Sequence, residues 1–377
     1  MNDWIATTAA AIARHAEREL DALVAVSSPS GDVHGAEEAV RVATAFLPDE
    51  AEAERIPCSS DGYAPDLLAR LRGSGDKRLL LIGHLDTVHA HDAHKPPERN
   101  GDKLVGSGAV DMKGGDVLAL GVLRALASMP ERYAEVALLF VNDEEWRVGE
   151  LKHAPGFAGW DACLCFEAGQ TGAEGDDEVI VKRKAAATLR VEAFGQSSHS
   201  GSAPDKGRNA LLALAAAARA VAECHDPAGP DRLSAVPTIM QSGEAFNVVP
   251  DAGELFCDVR ADRLAAFAPV IDAVPDAVGG AALRAELVRQ WPGMDARDAT
   301  APLLAEAARR LGRSLHGGER GGASDASHVS QYVPLTIDGL GPRGGGAHTP
   351  QEYVSLPTLR TRAEVALAIV AALLELP

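Results

Sequence analysis

Aromatic residues are scarce, only 4% of the 377-residue chain, so the core must rest on aliphatic side chains and alanine-rich helices. Positive charge is scarce too: 36 Lys and Arg against 54 Asp and Glu leave a net charge of -18. That balance argues against nucleic acid or an anionic membrane surface as a partner, because phosphates attract the opposite sign. Long apolar runs are missing. No stretch reaches the roughly 18 unbroken apolar residues of a membrane span. The N-terminal "MNDWIATTAAAIARHAERELDALV" is interrupted by Asp3, Arg14, Glu17, Arg18 and Glu19, as in an amphipathic helix rather than a secretory signal. Cysteine is limited to Cys58, Cys163, Cys165, Cys224 and Cys257, an odd number mostly set in apolar runs. A disulfide framework is thereby disfavoured, and a reduced, cytoplasmic protein is expected. The chain also lacks internal repeats, low-complexity tracts, HExxH and CxxC pairs.

What is present is ordinary globular composition, 46% hydrophobic and 24% charged. The length exceeds the roughly 100 to 200 residues of one domain, so two domains or a large insertion are expected. After the first helix, "SSPSG" reads as a turn and "HGAEEAVRVATAFL" as an amphipathic helix. Then come the apolar strand "RLLLIGH", the helix "KGGDVLALGVLRALASM" and the apolar strands "EVALLFVN" and "DACLCFEA". Near-continuous apolar strands alternating with helices predict an α/β sheet covered on both faces.

Near residue 180 the pattern changes. "ATLRVEAFG" alternates apolar and polar, followed by the helix "NALLALAAAARAVAEC", the strand "GELFCDVR", the helix "LAAFAPVIDAV" and the strand "LRAELVRQ". This indicates a small β-α-β-β-α-β module whose antiparallel sheet is open to solvent on one face. The α/β style resumes near residue 295 and ends in the helix "LPTLRTRAEVALAIVAALLEL". The expected organisation is a catalytic domain in two parts, 1–179 and 294–377, interrupted by an inserted domain at 180–293.

Polar clusters follow the apolar strands: "GHLDT" with His84 and Asp86, "GSGAVDMKGG" with Asp111, "VNDEEW" with Glu144 and Glu145, and "FEAGQ" with Glu167. "GGGAHTPQE" adds His348 and Glu352 after a glycine-rich turn. Ligands of open α/β sheets bind at the carboxyl ends of the strands, so these distant clusters can converge. Alone, an HxD is commonly a satisfied turn and a DEE an acidic one. Histidines and carboxylates recurring at successive strand ends are instead what a borderline divalent metal selects, zinc first, with cobalt or manganese as substitutes. Paired glutamates suit metal-assisted hydrolysis, one holding a metal and the other moving a proton.

In order along the chain, "PSG", "GHLDTV", "GSGAVDMKGG", "NDEE", "FE", "GQSSHSGSAPDKGRNAL", "NVVPDAGELFCDVR", "GGASDA" and "GPRGGGAHTPQEYV" resemble a known family. It comprises the dinuclear zinc hydrolases that include glutamate carboxypeptidase, acetylornithine deacetylase, succinyl-diaminopimelate desuccinylase and the aminoacylases. Overall length and "GGASDA" place the resemblance nearest the glutamate carboxypeptidase branch. The resemblance implies an aminopeptidase-like catalytic domain with a mixed, mostly parallel sheet covered by helices, plus a ferredoxin-like lid through which a homodimer forms.

It implies two Zn2+ per subunit: Asp111 bridging, His84 and Glu167 completing one site, Glu145 and His348 the other. Asp86 would orient His84 through its other ring nitrogen, and Glu144 would be the base activating a metal-bridging water toward an amide carbonyl. A cis peptide at Asp111-Met112 is also implied. In the lid, His199 would stabilise the oxyanion in the partner subunit's site, and Asn247 and Arg260 would bind substrate. Each also has a plain reading, a capping or surface histidine for His199 and strand-end hydrogen bonders for the other two.

The chain departs from the family at "EEWRVGE", where a small residue and serine usually follow the glutamates and Trp146 and Arg147 stand instead. "GPRGGGAH" brings Arg343 near His348, either to clamp a substrate carboxylate or to sit in solvent. Trp291 stands where the carboxypeptidase branch carries a basic residue, so glutamate specificity does not follow. The expected activity is hydrolysis of the amide bond of an N-acyl amino acid, a dipeptide or a C-terminal residue on a small carboxylate substrate. The alternatives are hydrolysis of another C-N bond, by a deaminase or carbamoyl hydrolase, and more remotely a non-catalytic binding protein or a single-metal enzyme.

Overall fold

A computed structural model of the chain describes residues 3–172 and 175–376. The chain divides into two compact units, one made of residues 1–182, 295–320 and 324–377, the other of residues 183–294 and 321–323.

The first unit is built on a six-stranded sheet with the spatial order Glu52–Ile56, Asp66–Arg72, Glu135–Val141, Arg78–His84, Ala162–Cys165, Thr336–Ile337. Its first two pairings are antiparallel and the remaining three parallel. The strand Arg78–His84 lies between two parallel neighbours and is buried on both faces, as its unbroken apolar run requires. Leu79 and Leu81 join the core shared with the helices Asp3–Val24, Gly114–Ala127 and Pro357–Leu373. Leu80 and Ile82 point the other way, toward the side on which the short helix Asp325–Val329 packs. The strands run parallel from here, so His84 and the residues following Val141 and Cys165 emerge at one edge of the sheet.

The helix Val33–Thr44 is capped by Asp32, whose carboxylate accepts from the Gly35 N–H at 2.6 Å. Between the loop after strand Lys103–Val105 and the helix Gly114–Ala127, the segment Ala109–Lys113 departs from helical geometry at Asp111 and Met112. The peptide joining those two residues is cis, as the resemblance implies.

The second unit carries a five-stranded antiparallel sheet in the order Ser234–Ser242, Ala252–Ala261, Ala185–Phe194, Ala281–Trp291, Ala277–Val278. Ala185, Ala187, Leu189, Val191 and Ala193 alternate onto one face, where the helices Ala210–Glu223 and Ala268–Asp272 contribute Leu214, Val221 and Val270 to a separate core. The opposite face is half-buried and charged, with Arg190 reaching Glu254 at 3.1 Å and Glu192 at 3.0 Å. The edge strand Ser234–Ser242 is the part of the β-α-β-β-α-β order that the sequence pattern marks least. It contains Pro237, tolerated because that strand is an edge, and the register shifts beside it.

Candidate metal centre

His84 ends its strand with its ring 1% exposed, and its two nitrogens face different groups. Nδ1 lies 3.0 Å from the Asp86 backbone carbonyl and 3.4 Å from the Asp86 carboxylate. A carbonyl only accepts, so Nδ1 carries the proton and Nε2 turns its remaining valence toward Asp111 Oδ1 at 3.2 Å and Glu167 Oε1 at 3.8 Å. A neutral ring in that setting would aim a lone pair at two carboxylates. The site therefore needs either a second proton on His84 or a cation.

Glu167 follows the strand Ala162–Cys165, and the N-terminus of helix Gly114–Ala127 packs against that chain turn. A Cβ at Gly115 would lie 1.7 Å from the Phe166 carbonyl, so only glycine lets the helix approach this closely. On the other side of Asp111, its Oδ2 lies 3.2 Å from His348 Nε2, which in turn is 3.2 Å from Glu145 Oε2. The two oxygens of Asp111 are thus divided between two groups, His84 with Glu167 and His348 with Glu145. Within each group the donor atoms all lie within 4.8 Å of one another. Tetrahedral zinc, with ligand bonds near 2.0–2.2 Å, would hold its donors roughly 3.4 Å apart, so both sets have the spacing and chemistry of a metal site.

Electrostatics point the same way. Burial pushes the Glu144 and Glu145 carboxyls up to about 8, with Glu167 and Asp111 adding to the rise at Glu144. Burial alone would also raise Asp111, yet the His348 and His84 rings hold it below the ordinary carboxylate value. Asp111 and Glu145 in turn draw His348 up to about 10. Acidic groups crowded into low dielectric are what a bound cation relieves.

Asp86 serves more than His84. Its Oδ1 accepts from the Glu144 N–H at 3.2 Å and its Oδ2 from the Glu145 N–H at 3.1 Å, so one carboxylate fixes the backbone of both glutamates. The same turn is tied below by Arg147. Its guanidinium bonds Asp143 at 2.7 Å and also Asp325 of the helix Asp325–Val329. Arg147 is 1% exposed, so it does not line a pocket, whereas the neighbouring Trp146 is 54% exposed.

The profile of peptidase family M20/M25/M40 matches residues 80–372 of this chain. The chain belongs to that family. It is 28% identical to carboxypeptidase G2 of Pseudomonas sp. (strain RS-16), covering 94% of this chain and 88% of that one. It is 27% identical to a succinyl-diaminopimelate desuccinylase of Rhizorhabdus wittichii, covering 84% and 87% respectively. Among solved structures, the aminopeptidase PepT from Bacillus cereus superposes with a TM-score of 0.77 at 21% identity, covering 96% of this chain and 98% of that one. An M20 family metallo-carboxypeptidase from Sulfolobus solfataricus gives 0.74 at 14% identity, with full coverage of both chains. As an M20 family member the protein is a metal-dependent hydrolase of amide bonds, with the mixed α/β fold expected from its sequence.

Of the residues singled out in the sequence, His84, Asp86, Asp111, Glu144, Glu145, Glu167 and His348 meet in the first unit. Of the others, His199, Asn247, Arg260 and Trp291 belong to the second unit and Arg343 to the first. His199 and Asn247 share a short ribbon of the second unit, where His199 pairs with Val248 and the Asn247 carbonyl accepts from the Ser200 N–H at 3.0 Å. The His199 Nδ1 accepts from the Gly201 and Ser202 N–H groups at 3.1 and 3.2 Å, leaving Nε2 on an exposed ring. Arg260, in the same unit, bonds Asp258 and the Gly321 carbonyl. The Arg343 guanidinium is held by Asp177 at 2.7 Å and the Gln170 carbonyl at 3.3 Å, contacts it would have to give up to clamp a substrate. Trp291 is 1% exposed, with Arg289 over its ring at 4.8 Å. Among the described residues no helix is long and apolar enough to cross a membrane.

Proposed function

We propose that the protein is a two-zinc amidohydrolase that cleaves the amide bond of an N-acyl amino acid, a dipeptide or a peptide's C-terminal residue. The observation that carries this reading is the division of Asp111's two oxygens between a His84–Glu167 pair and a His348–Glu145 pair. Those five residues would hold the ions, cobalt or manganese serving as substitutes for zinc. When bound, the ions supply Lewis acidity that polarises the amide carbonyl and lowers the pKa of water.

The rest is done by the chain's own groups. Glu144 is 8% exposed and its backbone is held by Asp86, so its carboxylate is confined beside the two sites. In the proposed reaction Glu144 takes a proton from the attacking water as the new C–O bond forms. It then delivers that proton to the leaving amine nitrogen as the C–N bond breaks. Asp86 keeps Nε2 of His84 free by holding Nδ1, and it sets the spacing of Glu144 and Glu145. His199, Asn247 and Arg260 are proposed to contact the substrate's carbonyl and carboxylate.

A homodimer through the second unit is part of the same reading. The edge strand Ser234–Ser242 exposes Val236, Ile239 and Met240, and the neighbouring helix exposes Leu211 and Leu212. An apolar sheet edge of this kind is what a second copy would cover. The five cysteines are free, in keeping with a cytoplasmic setting.

The test is to incubate zinc-loaded protein with N-acetyl and N-benzoyl amino acids, dipeptides and acyl-glutamates, reading amine release by mass spectrometry with Glu144→Ala alongside. Release from one class, abolished in Glu144→Ala, supports the reading. Silence across all classes with two zinc ions bound would refute the proposed substrate range.

A further inference from the structure

We infer that Glu352, a residue outside both ligand sets, is the positioning residue that holds Asp111 in the setting where its carboxylate can serve two ions at once. The inference rests on the two-ion reading above.

Three main-chain N–H groups at and just before Asp111 share one acceptor. Gly108 takes a left-handed conformation, φ 74°, and the N–H groups of Gly108, Val110 and Asp111 converge on one point, while that of Ala109 turns to the Gly106 carbonyl. Such a concavity binds an anion. The anion here is the Glu352 carboxylate: Oε2 accepts from Gly108 N–H at 2.8 Å, and Oε1 accepts from Val110 N–H and Asp111 N–H, both at 2.9 Å. Oε2 also meets His89 Nε2 at 3.3 Å. Glu352 is 1% exposed, so water does not compete for these bonds.

The placement of Glu352 along the chain gives the contact its meaning. It lies four residues beyond His348, on a turn closed by Thr349 N–H to the Gly346 carbonyl at 2.9 Å and Glu352 N–H to the Thr349 carbonyl at 3.1 Å. Its own carbonyl accepts from Gly106 N–H at 3.0 Å, and the next residues, Tyr353–Ser355, pair with Lys103–Val105. Glu352 therefore binds the His348 turn to the Asp111 loop through both main chain and side chain. The separation of Asp111 Oδ2 from His348 Nε2, 3.2 Å, is set by that junction. His348 has a left-handed backbone, φ 63°, and a 55%-exposed side chain, so little else fixes it. The His348–Glu145 site is the one that loses its definition when Glu352 changes. The His84–Glu167 site shares Asp111 but takes its other two donors from strand ends outside this junction, so it loses less.

The experiment compares wild type, Glu352→Gln and Glu352→Asp, each purified in full length. Gln is isosteric but must turn an NH2 toward backbone N–H donors. Asp keeps the charge on a shorter arm and serves where Gln fails to fold. Zinc stoichiometry is measured by elemental analysis after dialysis at buffered zinc activities, the dissociation constant of each site by chelator competition, and the melting temperature on metal-free protein. The expected result is two ions in wild type and, in Glu352→Gln, the His348–Glu145 site weakened about 10- to 100-fold, the range for groups that support a metal ligand, and the His84–Glu167 site weakened less. Turnover should recover in excess zinc, and Glu352→Asp should fall between. Both sites at wild-type affinity in folded Glu352→Gln, with only the metal-free melting temperature lowered, would reduce Glu352 to a stabilising residue and overturn the inference. Wild type holding fewer than two ions would overturn the two-ion reading instead, and it would show before any substitution is compared.

Discussion

Asp86 carries the plainest lesson at the scale of single residues. The spacing His-Leu-Asp at the end of an apolar strand is visible in the sequence, and so is the pairing of Glu144 with Glu145. That one Asp86 carboxylate receives both glutamate N–H groups is not visible, because a main-chain donor has the same sequence signature at every position. The same blindness hides what Glu352 does for Gly108, Val110 and Asp111. Glu144 is where a substitution separates chemistry from structure. Glu144→Gln keeps the shape and removes the proton acceptor, so kcat should fall about 10²- to 10⁴-fold with zinc content unchanged. Steady-state kinetics paired with elemental analysis checks this, and a kcat within a factor of a few of wild type would remove Glu144 from the role of base.

At the scale of elements, the turn carrying the two glutamates is pinned to the helix Asp325–Val329 by a buried cation. Arg147 sits between Asp143 and Asp325, and none of the three side chains is more than 4% exposed. "EEWRVGE" alone shows that Arg147 follows the glutamates but not what it binds. Its partner Asp325 lies 178 positions along the chain, a distance over which spacing carries no information. Replacing Arg147 by Met leaves two buried carboxylates unmatched, and stability should drop by about 3–5 kcal/mol. Urea unfolding would measure it, and Arg147→Met combined with Asp143→Asn and Asp325→Asn should recover part of the loss. The edge strand Ser234–Ser242 was hard to read for another reason. Pro237 and a run of exposed apolar positions break the alternation that marks "ATLRVEAF" so clearly. In the proposed homodimer, Ile239→Glu on that edge should shift the dimer to monomer in light scattering. A mass unchanged from wild type would count against this edge as the dimer contact.

For the whole molecule, the ordered motifs from "PSG" to "GPRGGGAHTPQEYV" made the family legible, since each marks a strand end or turn of one fixed scaffold. Substrate preference was less legible, because it depends on side chains whose partners only the fold reveals, as Trp291 and Arg343 demonstrate. Ligand linkage supplies the global prediction. An ion present at a thousand times its dissociation constant stabilises the folded chain by about 4 kcal/mol. Stripping zinc with a strong chelator should therefore lower the melting temperature by several degrees, and adding zinc back should restore it. A transition that ignores the chelator would mean that the folded protein gains nothing from the ions.

The first unit is assembled from three separate stretches of sequence, and its helix Pro357–Leu373 packs against the helix Asp3–Val24. On a ribosome, which releases the chain from the N-terminus, the helix Asp3–Val24 can meet Gly114–Ala127 well before Pro357–Leu373 has emerged, so part of its apolar face stays uncovered in between. The second unit, nearly continuous at residues 183–294, meets no such delay. After residue 294 has emerged, the second unit can fold while the first still lacks the helix Pro357–Leu373. His348 is the last of the five candidate ligands to leave the ribosome, so the set is incomplete until that residue has emerged.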